Sequence, residues 1–350
     1  MHTQSNDYKM KTRKRIFWLV AAIIIAAYII LINILISAAL IPSFMDRLEA
    51  ADRITERSYN EQVQSDELDQ KVEETIDETV EWYKTVPLDF LEETSADGYH
   101  LKAIEFYPGI EDGTGNIIRT GEDTHIWVLL LHGYTGQKEE MYPLARWYQQ
   151  QDFHVIVPDM RCQGESEGDF IGMGYTDSED NMLWINEILR QDPNARIVLH
   201  GQSMGAACAL MMSGREDLPE NVMAVISDSA YTDAYSMFCD RFQAWFHLPP
   251  ALVVPAANLF LQMRGGYDLH DASALAAVEH STVTTLFIHG EEDKMIPPAM
   301  TQELYDAASC EKALLIVPGA GHVQAADVAP EEYFDMIGKV LSSTRVNQGE

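Results

Sequence analysis

The reactive groups of this sequence are a serine set between glycines, an acid and a histidine, in that chain order. Gly201-Gln202-Ser203-Met204-Gly205 fits G-x-S-x-G, the pattern of a nucleophile held on a sharp strand-to-helix turn. A hydroxyl is a weak nucleophile until a base takes its proton, and the base needs an acid that fixes its tautomer. His322, in Gly319-Ala320-Gly321-His322, is the candidate base. Asp293, in His289-Gly290-Glu291-Glu292-Asp293, is the candidate acid, with Glu291, Glu292 and Asp228 as alternatives. Such a set would transfer an acyl group to water through a covalent acyl-enzyme. Its tetrahedral intermediate would need two donors for the oxyanion. The backbone N–H of Met204 is one candidate, and that of Tyr134, in His132-Gly133-Tyr134-Thr135-Gly136, is the other. Each motif alone has a plainer reading: a glycine-rich turn, a surface histidine, one acid among several, a tyrosine packed over a turn. Their joint occurrence in this order is what points to chemistry.

These groups need elements that bring them together. Short apolar runs rich in β-branched residues at 126–131, 154–157, 196–200, 222–227, 284–288 and 313–317 read as buried strands. Helical stretches at about 139–150, 177–190 and 205–213 alternate with them, and 88–92 and 100–107 read as a strand pair around Ala96-Asp97-Gly98. The alternation predicts an α/β fold with a mostly parallel central sheet covered by helices on both faces. In such sheets ligands gather at the carboxyl ends of the strands, where Tyr134, Ser203, Asp293 and His322 all fall. The rhythm breaks between residues 234 and 280, where Phe238, Phe242, Trp245, Phe246, Leu248, Leu259, Phe260 and Met263 suggest a small helical cap. An apolar cap suits an apolar acyl or aromatic group in the substrate, although the same residues would also serve to seat the cap on the core.

The N-terminal part has a different character. Lys9, Lys11, Arg13, Lys14 and Arg15 precede an uncharged stretch at residues 16–41, interrupted only by the mildly polar Asn33 and Ser37. At ~1.5 Å per residue a helix of this length exceeds the ~30 Å hydrocarbon core of a bilayer. A cleaved signal peptide is the competitor, with Ser37-Ala38-Ala39 as the cleavage site, but its apolar region is usually only ~7–15 residues. The basic cluster places residues 1–15 in the cytoplasm and the catalytic domain on the outer side, as a single-pass membrane protein contacting the lipid bilayer through residues 16–41. Residues 42–86 form an acidic helical segment, either a stalk or a helix laid on the body, with a four-residue beat at Leu68, Val72, Ile76 and Val80. Residues 87–345 then make up the catalytic domain.

From about residue 88 onward the chain resembles the α/β-hydrolase superfamily. It is most similar to bacterial serine hydrolases grouped with the serine aminopeptidase S33 and monoacylglycerol-lipase-like sequences. The Tyr134 loop, the run from Asp159-Met160-Arg161-Cys162-Gln163-Gly164 to Glu165-Ser166-Glu167-Gly168, the Ser203 turn, His289-Gly290 with Asp293 and Pro297, and Gly321-His322 carry the likeness. The resemblance implies metal-free acyl transfer with Ser203, Asp293 and His322 as the triad. It leaves the substrate open, because one fold serves many reactions. Cys162 departs from the pattern, since many members have Gly or Ala after the arginine; the loop shapes the pocket, so the departure bears on specificity.

Composition narrows the partners. With 24 Lys+Arg against 55 Asp+Glu the net charge is −31, which disfavours nucleic acid as a partner. No Cys or His pair has metal-ligand spacing, and Gly113-Thr114-Gly115 is no dinucleotide fingerprint, so neither a metal nor a cofactor is expected. Cys162, Cys208, Cys239 and Cys310 are scattered and read as free thiols. The expected activity is hydrolysis of small carboxylic esters. Removal of N-terminal residues from peptides is the neighbouring alternative, and a non-catalytic ligand-binding homologue is the alternative from another class.

Overall fold

The computed structural model describes residues 2–41, 66–111, 117–118 and 125–347. Its centre is an eight-stranded sheet in the order β1-β2-β6-β5-β7-β8-β9-β10. The strands are β1 (Leu88–Thr94), β2 (His100–Phe106), β5 (Ile126–Leu131), β6 (His154–Pro158), β7 (Arg196–Gln202), β8 (Val222–Asp228), β9 (Thr284–Gly290) and β10 (Lys312–Val317). The two-residue strands β3 (Ile110–Glu111) and β4 (Ile117–Ile118) pair separately. β1 and β2 are antiparallel, β2 runs antiparallel to β6, and every pairing from β6 to β10 is parallel. β5, β6 and β8 are buried along their whole length. That explains why they read as continuous apolar runs with no alternation.

The helices are α1 (His2–Leu40), α2 (Asp66–Tyr83), α3 (Tyr142–Gln149), α4 (Tyr175–Gln191), α5 (Met204–Ser213), α6 (Ala234–Phe246), α7 (Val254–Gly265), α8 (Ala274–Val278), α9 (Pro298–Ala307), α10 (Ala325–Val328) and α11 (Pro330–Asn347), and those that alternate with the strands cover both faces of the sheet. The helix expected at 139–150 begins as a single 3₁₀ turn at Lys138–Met141 before α3 takes over at Tyr142, with Pro143 in its first turn. α5 is buried on every side, so its small side chains pack from all directions and show no stripe.

The cap excursion expected over 234–280 closes earlier in space. Asp233 bridges to Ser273, and the Ala234 N–H donates to the Ala272 carbonyl (2.9 Å). α8, inside the expected range, is already packed on α5. The cap proper is therefore α6, the turn Pro250–Leu252 and α7. The side chain of Asp233 caps α6 by accepting from the Ser236 N–H at 2.8 Å.

α2 lies on the body, while residues 42–65 are outside the described part of the chain. Its docked face differs from the expected stripe. Leu68 and Thr79 are buried and Val72, Thr75, Trp82 and Tyr83 are half-buried, whereas Ile76 and Val80 are about half exposed. A strict four-residue step advances ~400° and so drifts ~40° around the helix each time. The stripe winds off the contact, and aromatic residues take over: Trp82 packs on Phe106 (4.7 Å between centroids) and Tyr83 stacks on Tyr142 (5.2 Å).

Candidate active site

Ser203 sits between β7 and α5 with φ +54°. An L-residue occupies that region only when its surroundings force it. They do so here through two glycines. A Cβ on Gly201 would stand 2.1 Å from the Gly205 carbonyl oxygen, and one on Gly205 would stand 2.1 Å from that of Leu131. The turn is thus pressed against both its own helix and strand β5, and the serine is the side chain left projecting.

The structure brings Ser203, His322 and Asp293 together. His322 Nε2 is 2.9 Å from Ser203 Oγ, and His322 Nδ1 is 2.7 Å from Asp293 Oδ2. Asp293 is buried, whereas Glu291 and Glu292 are exposed. Asp228, the other sequence alternative, is fully buried beneath the turn and engaged elsewhere. It accepts from Ser229 Oγ (2.9 Å) and Tyr333 Oη (3.1 Å), while its carbonyl takes the Ser203 N–H (2.8 Å). Burial pushes the Asp228 carboxyl up. Asp293 goes the other way. Burial alone would raise it, but hydrogen bonds and charge from His289 and His322 hold it well below the ordinary carboxylate range. Its other oxygen accepts the N–H groups of Met295 and Ile296, both at 2.8 Å. A carboxylate held this way stays ionised opposite an imidazole.

Sequence reasoning missed His289, although the His-Gly dipeptide after β9 had marked the place. Its Nε2 is 3.0 Å from Asp293 Oδ2 and 2.9 Å from the Ile296 carbonyl, and its Nδ1 is 2.6 Å from Thr301 Oγ1. With the threonine donating to Nδ1, Nε2–H points at Asp293 and the Ile296 carbonyl. A second buried chain lies under the serine. Tyr148 Oη is 2.9 Å from His200 Nδ1, and His200 Nε2 is 3.0 Å from Tyr333 Oη, which donates to Asp228. Read in one direction, the tyrosine donates to Nδ1, Nε2–H donates to Tyr333, and every member is satisfied. Burial lowers His200 to about 3, so it is neutral.

The oxyanion candidates come from two elements. Met204 opens α5, where helical N–H groups point outward. Gly133, preceding Tyr134, approaches Ser203 closely enough that its Cβ would lie 3.5 Å from that of the serine. His132 ties this loop to the next: its Nδ1 faces the Gly133 carbonyl (2.8 Å) and its Nε2 accepts the Met160 N–H (2.9 Å). Burial lowers His132 to about 4, consistent with those roles for a neutral ring. The neighbouring 159–168 loop is braced by charge. Lys138 reaches Asp159 (2.7 Å) and Glu165 (2.6 Å), and Arg161 grips Asp180 with two bonds (2.7 and 2.8 Å). Cys162 sits here at φ +64°, a conformation that glycine, one of the residues the resemblance implies at this position, adopts without a Cβ penalty.

The tyrosine's side chain has an unexpected partner. Tyr134 Oη donates to the carbonyl of Ala39, and the Ile171 N–H donates to that of Leu40 (2.9 Å), so the end of α1 is bonded to the loop that carries one of the oxyanion candidates. Ile32, Ile36 and Leu40 are buried in the cluster that holds Phe170, Ile171, Leu261 and Tyr267. A cleft of 450 Å³ lined by Arg215, Pro219 and His280 lies at the opposite ends of β8 and β9 and has no part in this site.

Residues 126–282 match the family model described as the alpha/beta hydrolase fold. The chain is 28% identical to the uncharacterized protein YqkD of Bacillus subtilis over 233 residues, which is 66% of this chain and 72% of that one. It is 27% identical to lysophosphatidylserine lipase ABHD12 of Danio rerio over 201 residues, 55% of this chain and 50% of that one. Among solved structures, the esterase Pf2001 of Pyrococcus furiosus superposes with a TM-score of 0.56 at 21% identity, covering 74% of this chain and 93% of that one.

Proposed function

This chain has the α/β-hydrolase fold, and we propose that it is a membrane-anchored serine hydrolase that cleaves small carboxylic esters through an acyl-enzyme. The observation that carries the reading is the relay Ser203 Oγ–His322 Nε2–His322 Nδ1–Asp293 Oδ2, at 2.9 and 2.7 Å, on a strained turn between strand and helix. Ser203 attacks the ester carbonyl while His322 takes its proton. Asp293 holds the ring so that Nε2 faces the serine and stabilises the imidazolium that forms. The amides of Met204 and Tyr134 receive the oxyanion. His322 then protonates the leaving alcohol, and water repeats the sequence on the acyl-enzyme. An ester suits this site because the lipase and the esterase among the similar proteins are both named for ester cleavage.

The anchor reading is supported by α1. The most apolar 18 residues within its stretch Arg13–Leu40 have a mean hydropathy of 3.0 and only 11% of them are buried, so the fold leaves most of that apolar surface without cover. A core helix of that composition would be buried. Cleavage at Ser37-Ala38-Ala39 would cut through residues that the fold uses, since Ile36 and Leu40 are core and the Ala39 carbonyl holds Tyr134. Phe17 and Trp18, exposed beside Arg13–Arg15, suit one interface.

A fluorophosphonate probe should label the full-length protein and leave Ser203→Ala unlabelled. Equal labelling of the two would remove Ser203 from its role. Turnover of p-nitrophenyl esters in preference to aminoacyl anilides is expected, and the reverse preference would favour the peptidase alternative.

A further inference from the structure

We propose that the cap face carrying Leu252, Leu259 and Met263 lies in the same bilayer leaflet that the Leu40 end of α1 crosses, and that it presents the Ser203 site to substrates held in that leaflet. This rests on α1 being a membrane span and adds a second contact with the membrane.

The first argument is depth. The uncharged stretch begins at residue 16, and a helix rises ~1.5 Å per residue, so Tyr28 stands ~18 Å along it, inside a hydrocarbon layer ~30 Å thick. Tyr28 is not clear of the protein, because its hydroxyl donates to the Leu252 carbonyl at 2.7 Å. Arg264, at the far end of α7, meets α1 at Asn33 Oδ1 (3.3 Å) and Ser37 Oγ (3.1 Å), ~25–31 Å along the stretch and thus at the headgroup boundary. α7 lies beside α1 between these two points. The bilayer cannot surround α1 as far as residue 35 without also meeting the cap. The two polar residues that interrupt the span are the ones that take the cap's guanidinium.

The second argument is surface character. Leu252 is 58% exposed, Leu259 55% and Met263 73%, with Phe246 and Leu248 each 50% exposed nearby in the chain. α7 buries Val254, Asn258 and Leu261, packs Ala256, Ala257 and Phe260 half-buried against the core, and turns Leu259 and Met263 outward. Exposed apolar residues grouped on one element mark a contact surface. The third argument is charge. The chain holds 55 carboxylate residues, yet residues 241–267 contain none, while Arg241 and Arg264 lie within them. An acidic body repels a membrane of anionic lipid, and a carboxylate-free segment is where that repulsion is weakest. Apolar contact together with an arginine at the phosphate level is the chemistry of an interfacial helix. With Tyr134 and Ile171 bonded to the end of α1, the loop beside Ser203 that carries Tyr134 stands at this same boundary.

The test uses the full chain in vesicles of phosphatidylcholine and phosphatidylglycerol, doped with a phospholipid that bears a photoreactive diazirine on its acyl chain. Mass spectrometry should find adducts on residues 246–263 as well as on residues 16–36. Adducts on α1 with none on the cap would overturn the proposal and leave the anchor standing. Adducts on neither would remove both. The double variant Leu259→Glu/Met263→Glu, at two exposed positions, should still float with the vesicles. It should lose at least ~10-fold in turnover of a long-chain p-nitrophenyl ester dissolved in the vesicles, a change of ~1.4 kcal/mol. Its turnover of a short-chain, water-soluble ester should stay unchanged. An equal loss on both substrates, or a loss on neither, overturns the proposal.

Discussion

Asp293 receives four donors, from His322, His289 and the amides of Met295 and Ile296. That makes a carboxylate that is both ionised and immobile. Asp293→Asn should therefore lower kcat by orders of magnitude, on the scale of ~10⁴, with folding intact, because the amide favours the wrong imidazole tautomer. Asp228→Asn should cost far less in rate, since Asp228 contacts Ser229 and Tyr333 rather than the ring of His322. Steady-state kinetics of the two variants decide the matter, and a larger loss in Asp228→Asn would move the acid to the end of β8. His322→Ala should lose at least ~10³-fold, with the oxyanion donors supplying what activity remains. His289→Ala, which strips one donor from Asp293 without touching Ser203, should lower kcat more modestly and leave KM unchanged.

At the scale of elements, helix ends and helix faces make separate predictions. Asp177 is in the first turn of α4, fully buried, with one oxygen on the Gly174 N–H (2.8 Å) and the other unpaired. Burial pushes it up from 3.8 to about 7. The folded state thus holds a proton that the unfolded state releases, so stability falls as pH rises from 3.8 towards 7 and levels off above. Asp177→Asn removes that slope. Its melting temperature relative to the wild type should rise across this interval and then stay constant, as calorimetry at several pH values would show. On α2, Trp82 packs on Phe106 and donates to Gln149 (3.1 Å), whereas Ile76 faces outward. Chemical denaturation should find at least ~2 kcal/mol lost in Trp82→Ala and no more than ~0.5 kcal/mol in Ile76→Ala. Similar losses in both would mean that the four-residue stripe is the docked face after all.

Across the whole molecule, the acidic charge is distributed unevenly. Neither residues 8–45 nor residues 241–267 contain a carboxylate, and the structure packs the C-terminal part of α1, from Tyr28 on, against the second. We expect one span with the catalytic domain outside the cytoplasm, because five basic residues precede the apolar stretch. Protease added to spheroplasts should digest the domain beyond residue 41. Protection until the membrane is lysed would reverse the orientation. Ile30→Lys, at an exposed position on α1, should weaken anchoring by ~2.5–3.5 kcal/mol on insertion scales, seen as release on alkaline extraction.

The strand set, the parallel sheet and the candidate serine, acid and histidine were legible along the chain, because turn glycines and buried apolar runs are local patterns. A G-x-S-x-G turn is a property of five adjacent residues, and a fully buried strand advertises itself by composition. Three matters were settled only in three dimensions. The choice of Asp293 over Asp228, Glu291 and Glu292 as the partner of His322 depends on a contact across 29 residues, and the approach to Ser203 on one across 119. The docked face of α2 depends on where Phe106 and Tyr142 stand, not on its own spacing. The seating of α1 against the cap and the Tyr134 loop joins residues more than 90 apart, and only packing can bring such distant surfaces into register. Local periodicity states which groups are apolar or reactive; which of them meet is decided by the fold that buries them together.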